Sequence, residues 1–177
     1  VIVTDKLTSC SAEVSYEVVV NKKPKFTIVA EPAEVCNGET QTVEFTTSVT
    51  NGVDVASYVW SDAAIVASGG SYSITKTWTA SETFEATATS DKGCVSMPVT
   101  VAVKVNELPV VTLSADQTDL KYCEGESITF TATASNVQYC WDGTKTNWVD
   151  NNKFTKNVTS GETFVVYVKD KTTGCIN

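Results

Sequence analysis

Cys36-Asn37-Gly38-Glu39-Thr40 opens an alternating apolar and polar segment, and Cys123-Glu124-Gly125-Glu126-Ser127 opens a second one further along. Self-similarity at a fixed period marks a repeat architecture, and the matches extend outward from this pair. Val43 and Phe45 correspond to Ile128 and Phe130, and Tyr58-Val59-Trp60 to Tyr139-Cys140-Trp141. Ser81-Glu82-Thr83-Phe84 corresponds to Gly161-Glu162-Thr163-Phe164, and Asp91-Lys92-Gly93-Cys94 to Asp170-Lys171-Thr172-Thr173-Gly174-Cys175. The start of the chain belongs to the same series. Thr4-Asp5-Lys6-Leu7-Thr8-Ser9-Cys10 matches the Cys94 and Cys175 segments, and Val14, Tyr16, Val18 and Val20 match Val99, Val101, Val103 and Val105. Asn21-Lys22-Lys23-Pro24 then matches Asn106-Glu107-Leu108-Pro109.

A period of about 85 residues suits a seven-stranded sandwich. The expected fold is all-β, in tandem immunoglobulin-like sandwich repeats. Residues 1–23 read as the final F–G hairpin of one repeat, 24–108 as a complete repeat, and 109–177 as a repeat lacking its last strand. Cut out of phase in this way, the chain is expected to have ends that are unsatisfied or borrowed from elsewhere.

Strands follow from period-two alternation. Val14–Val20, Phe84–Ala88, Val99–Val105 and Phe164–Val168 each place apolar residues on one face. Trp60 and Trp141 share one repeat position in an alternating strand and are expected at the sandwich centre, where immunoglobulin domains keep a tryptophan. Trp78, aligned with Val158, is expected in the core too. Trp148 differs, because its stretch Asp142-Gly143-Thr144-Lys145-Thr146-Asn147-Trp148 has no counterpart in the complete repeat. It is the candidate exposed aromatic, and with Asp142 and Asp150 it forms the candidate ligand-binding loop 142–152. Packing under its own loop is the alternative for Trp148. Asp142, Asp150, Asn151 and Asn152 offer the hard oxygens that a weak Ca²⁺ site needs, without EF-hand spacing.

Composition removes whole classes of function. The 177 residues are 42% hydrophobic and 19% charged, and 13 Lys and Arg against 21 Asp and Glu leave a net charge of −8. Nucleic acid and anionic membrane surfaces both want a basic face, and no apolar run reaches the roughly 20 residues of a spanning helix. There is no His, so the usual base of Ser and Cys triads is missing. No nucleophile elbow, P-loop or dinucleotide fingerprint occurs. The expectation is no enzyme and no cofactor. Six Cys without a CxxC pair read as disulfides rather than zinc ligands, which points to an exported, extracellular location.

Two pairing schemes stand for the cysteines. The within-repeat scheme joins Cys36 to Cys94 and Cys123 to Cys175. The other scheme starts from strand geometry. The turn before strand B and the F–G loop lie at opposite ends of a sandwich, roughly 25 Å apart along a strand, whereas a disulfide needs Cα atoms within about 7 Å. Where repeats stack head to tail, Cys36 meets Cys175, while Cys94 would pair with a preceding repeat and Cys123 with a following one. The inter-repeat scheme is favoured. Cys10 and Cys140 stay unassigned in both.

Tyr139-Cys140-Trp141-Asp142-Gly143, Phe154, Ser160-Gly161-Glu162-Thr163-Phe164-Val165-Val166 and Asp170 to Gly174-Cys175 resemble the Ig-like and PKD-like tandem repeats of large Bacteroidetes surface adhesins of the gliding-motility type. Cys140 and Trp141 depart from that pattern, which carries Ser and Ile there. The resemblance implies an exported, cell-surface, non-catalytic repeat in a filament or stalk, whose partners are neighbouring repeats of one long chain. Two other functions are compatible with the residues. One is a carbohydrate- or protein-binding module using loop 142–152. The other is a self-assembling homopolymer, in which the Val14–Val20 strand of one copy completes the third repeat of another.

Overall fold

The computed structural model describes all 177 residues and contains strands but no helix. The first segment is a small hairpin of β1 (Ile2–Thr4) and β2 (Ser11–Glu13), paired antiparallel. Every residue from 1 to 23 is exposed, and residues 14–25 join no ladder. The strand expected at Val14–Val20 is therefore unpaired beyond Val14, whose backbone exchanges hydrogen bonds with Val1. The alternation is present, but a strand needs a neighbour for its N–H and C=O groups, and the three residues of β1 are used up by β2. A lone hairpin also has no opposing layer on which to bury a face.

The complete repeat runs through β3 (Phe26–Glu31), β4 (Glu34–Cys36), β5 (Thr40–Val49), β6 (Val55–Trp60), β7 (Val66–Ser68), β8 (Ser71–Thr77), β9 (Glu82–Ser90) and β10 (Val99–Asn106). Two four-stranded sheets result, ordered β3-β5-β8-β7 and β4-β10-β9-β6. The chain crosses from one sheet to the other between β3 and β4, at the cis Glu31–Pro32 peptide. The inward residues of the alternating strands make one core: Ala30, Val35, Val43, Phe45, Ile74, Trp78, Phe84 and Val103. The last strand, β10, serves two neighbours. It pairs antiparallel with β9, Val99–Val103 against Glu82–Ala86, and parallel with β4, Lys104–Asn106 against Glu34–Cys36.

The third repeat has β11 (Thr112–Ala115), β12 (Ser127–Thr133), β13 (Val137–Cys140), β14 (Lys153–Asn157) and β15 (Tyr167–Asp170). They form a sheet β11-β12-β14 and a pair β13-β15, the two layers of an immunoglobulin-like sandwich without the β4 and β10 counterparts. The strand expected from Phe164 begins only at Tyr167. Residues 162–166 correspond to the part of β9 that bonds to β10, and no such neighbour is present here. Tyr167–Asp170 corresponds to the part that bonds to β6, and it does find its partner, β13. The counterpart of β4, residues 121–123, is likewise no strand.

Trp60 and Trp141 pack against the cores while remaining half-buried, Trp60 with its ring centre 5.0 Å from that of Phe45. Trp60 lies on β6, the edge of its sheet, where only one neighbouring strand shields an inward side chain. The fully buried indole is Trp78, whose Nε1 donates to the Gln41 carbonyl at 3.0 Å. Trp60 Nε1 is buried and has no partner. Truncating a satisfied indole leaves a buried acceptor unpaired, at about 1–3 kcal/mol, whereas truncating an orphaned one removes a cost. Trp78→Phe is therefore expected to lower unfolding free energy by about 2–3 kcal/mol and Trp60→Phe by clearly less, read from urea denaturation of the two variants. Equal losses would contradict this account of the core.

Candidate functional site

Two kinds of turn recur along the chain, and the site lies where one of each kind meets. The first is Cys-x-Gly-Glu. At Cys36, Gly38 N–H donates to the Trp78 carbonyl at 2.7 Å, Glu39 N–H to the Cys36 carbonyl at 3.2 Å, and Trp78 N–H to the Glu39 carbonyl at 3.0 Å. At Cys123 the same bonds join Gly125 to Val158 at 2.7 Å, Glu126 to Cys123 at 3.1 Å, and Val158 to Glu126 at 2.9 Å. Gly38 and Gly125 have φ of 79° and 87°, the left-handed region that a Cβ disfavours.

The second turn ends in Cys10, Cys94 and Cys175. Asp170 N–H donates to the Cys175 carbonyl at 2.9 Å, Ser90 N–H to Cys94 at 2.9 Å, and Asp5 N–H to Cys10 at 2.8 Å. The residue before each Cys is left-handed: Gly174, Gly93 and Ser9, with φ of 77°, 78° and 57°. The Asp5 carboxylate accepts from the backbone of Leu7 and Thr8, and that of Asp170 from Thr172 and Thr173. These are Asx turns. Thr4↔Ser11, Thr89↔Val95 and Lys169↔Ile176 are equivalent bridges closing the three turns.

At the junction between the complete and third repeats, Cys36 Sγ is bonded to Cys175 Sγ, with Cα atoms 5.6 Å apart. Cys36 sits in register with Asn106 at the end of β10, so the bond lies beside the linker that leads into the third repeat. Asn177 Nδ2 donates to the Pro109 carbonyl at 2.9 Å, and Asn37 Nδ2 to Glu107 Oε2 at 3.1 Å. One covalent and two polar links thus surround the Glu107-Leu108-Pro109 linker. Cys10 and Cys123 are exposed thiols, Cys94 is a half-buried one, and Cys140 is buried. Cys140 Sγ lies 2.9 Å from Asp142 Oδ1, to which it donates.

Loop 142–152 is built differently from the junction. Asp142 also accepts from Thr144 N–H at 2.9 Å, Thr144 Oγ1 at 2.7 Å and Asn147 Nδ2. These donors hold its carboxyl well below the usual carboxylate range, the Cys140 thiol contributing most. Three alternate residues of the β15 segment clasp the loop. Lys145 Nζ stands 4.4 Å from the Tyr167 ring centre, Lys169 Nζ 4.9 Å from that of Trp148, and Lys171 Nζ 2.7 Å from Asp150 Oδ1. Trp148 is half-buried, with one ring face occupied by the ammonium. Asn152 Nδ2 donates to the Ala132 carbonyl and Asn151 accepts from Trp141 Nε1. The candidate calcium oxygens of Asp142 and Asp150 are engaged by separate partners, and no group of three His, Cys, Asp or Glu side chains gathers anywhere in the structure. The clasp by Tyr167, Lys169 and Lys171 was missed by sequence reading. Its signal is the alternation of long side chains on the outward face of β15.

No family model and no curated protein matches the chain. Among solved structures, the fibronectin(III)-like modules of Clostridium thermocellum CbhA are similar at 14% identity over 85% of this chain and 88% of that one, with a TM-score of 0.38. The chain is an all-β protein of tandem immunoglobulin-like sandwich repeats.

The carboxyls of Asp142 and Asp170 are both depressed, by the hydrogen bonds they accept, as is that of Asp5. A depressed folded pKa gives stability that is complete above the unfolded value near 3.8 and is lost as pH falls through the folded one. With no His to titrate, the unfolding temperature is expected to stay level between about pH 8 and pH 5. Below about pH 4 it is expected to fall, less steeply in Asp142→Asn and Asp170→Asn. A drop near pH 6 in thermal scans would contradict this.

Proposed function

We infer that this chain is a non-catalytic structural segment of an exported surface adhesin of the Bacteroidetes gliding-motility type, acting as a stiff stalk in adhesion or surface movement. The observation that carries this reading is the Cys36–Cys175 bond, which joins the lower end of one repeat to the turn of the next. Domains joined by a linker flex by default. Here the linker contains Pro109 and is flanked by a disulfide and by the exposed Asn177 and Asn37 hydrogen bonds, so bending is limited chiefly by the covalent link. A cross-link closing 139 residues also restrains the unfolded chain by on the order of 4–5 kcal/mol in the chain-entropy model. An oxidising, extracellular setting suits such a bond.

In this reading loop 142–152 is a side wall clasped by β15, and its tryptophan emission is indifferent to glycans. A saturable fluorescence response to a sugar would move the function to glycan binding. The stalk itself is tested by small-angle scattering of the oxidised chain and of the Cys36→Ser, Cys175→Ser double variant. The oxidised chain is expected to fit one interdomain angle and the variant to need a broad distribution, with circular dichroism unchanged. Indistinguishable scattering curves would contradict a stapled stalk.

A further inference from the structure

The chain contains two Asn-Gly pairs, Asn37-Gly38 and Asn51-Gly52. Asparagine is among the thermolabile residues. A following glycine, which has no Cβ, leaves its backbone nitrogen unhindered for attack on the asparagine side chain. Both glycines are left-handed, with φ of 79° and 64°, and a Cβ placed on either would meet nothing within 4 Å. Sterically the two pairs are alike. The fold treats their nitrogens differently.

Gly38 is half-buried, and its N–H donates to the Trp78 carbonyl at 2.7 Å, inside the turn that also joins Glu39 to Cys36 and Trp78 to Glu39. Its nitrogen can swing toward the Asn37 side chain only if that turn opens, and the turn is anchored by the sealed Trp78 and by the Cys36–Cys175 bond. Gly52 is exposed, and its N–H donates to no acceptor. The Asn51 carboxamide is tied on both sides: Oδ1 accepts from Lys25 N–H at 3.0 Å, and Nδ2 donates to the Lys23 carbonyl at 2.9 Å. The side chain thus continues the β3–β5 ladder past Phe26 and Val49, the last residues in register. Both bonds are exposed, and such ends open locally at far lower free energy than a core. Opening of this end frees the carboxamide, and nothing further has to break for the Gly52 nitrogen to reach it.

We propose that Asn51 is a site of spontaneous covalent modification, deamidating through a cyclic imide in the folded chain, while the fold preserves Asn37. The product loosens the segment that leads into the complete repeat. A carboxylate oxygen in place of Nδ2 leaves the Lys23 carbonyl facing an acceptor. In the isoaspartyl product the main chain gains a methylene and the free carboxylate sits directly on Cα, too short to bridge Lys23 and Lys25. The two lost bonds flank Pro24, which is buried, so the change reaches a linker that proline otherwise stiffens. The Lys25 carbonyl still accepts from Thr50 N–H at 2.8 Å and Thr50 Oγ1 at 3.1 Å, so β3 keeps its place and the release is confined to residues 23–25. The proposal does not rest on the stalk reading, because a chain with any other role would age in the same way.

The chemistry needs water alone. The Gly52 backbone nitrogen attacks Asn51 Cγ and forms a C–N bond. Nδ2 leaves as ammonia, carrying the proton that the Gly52 nitrogen gave up through solvent. Water then adds to one of the two imide carbonyls and breaks its C–N bond, giving aspartate or isoaspartate. No electron is transferred.

The test incubates the folded, oxidised chain in mildly alkaline buffer beside a sample in urea and reductant, and follows both by peptide mapping with mass spectrometry. In the folded chain, conversion at Asn51 is expected to run at least on the order of tenfold faster than at Asn37. In the denatured chain the two rates are expected to converge, because only the fold separates them. Gly52→Ala is expected to slow conversion of Asn51 in both samples. The aged chain, separated from the fresh one by its added negative charge, is expected to exchange the Lys25 amide faster while the amides of β3 are unchanged. Equal rates in the folded chain, or faster conversion at Asn37, overturn the proposal. So does an Asn51 that stays intact until the chain is denatured, or an unchanged ratio of the two rates in urea. An aged chain whose Lys25 amide exchanges as in the fresh one overturns the loosening.

Discussion

Everything distinctive in this structure depends on whether a last strand lies between two flanks that cannot pair with each other. In the complete repeat β10 supplies backbone partners to β9 on one side and to β4 on the other, and Val103 closes the core between the sheets. In the third repeat that strand is missing. Residues 162–166 then form no ladder and residues 121–123 form no strand, and the buried apolar residues split into a cluster of Ala132, Val137, Tyr139 and Val168 and a separate pair, Ile128 and Phe130. Unpaired backbone groups stay at the surface, where water can satisfy them. Without that neighbour, one strand and half of a second do not form.

The junction between repeats follows from the same strand. β10 ends at Asn106, in register with Cys36, and the chain turns there into the linker. Two turns of fixed shape, each made possible by a glycine in the left-handed region, bring Cys36 and Cys175 to one point. The Cys36 turn is copied at Cys123 with the same backbone bonds, and the Cys94 turn keeps the Ser90-to-Cys94 bond in a loop one residue shorter than that of Cys175. A tensile load entering along β10 is shared between the linker peptide and the disulfide beside it. This supports the reading of the segment as a stalk.

Much of this was legible in the sequence, and the reasons are physical. Alternation of side chains reports which face a strand will bury, and turn signatures repeat because only glycine or a short polar residue takes the left-handed conformation easily. The repeat and the sandwich class are therefore plain from Cys36 to Cys175. Strand-end geometry narrows the cysteines to two schemes, and the structure carries the Cys36–Cys175 bond. What alternation does not report is whether a lane has a neighbour. Val14–Val20, apart from Val14 itself, and Phe164–Val166 read as strands and remain unpaired. Nor does it report edge position, which leaves Trp60 half-buried while Trp78 is sealed. Loop 142–152 was read for its oxygens and its aromatic ring. Part of its cohesion comes from Tyr167, Lys169 and Lys171, more than fifteen residues away, a relation no local pattern contains.

Amide hydrogen exchange of the dilute, oxidised chain tests the central role of the last strand most directly. The amides of residues 82–86 that bond to β10 are expected to exchange only with opening of the complete repeat. Those of residues 162–166 are expected to exchange at least on the order of a hundredfold faster, while the amides of Tyr167–Asp170 stay protected by β13. Equal, slow exchange in both segments would mean that the front of this strand is held without a last strand, and the account would be wrong at its base.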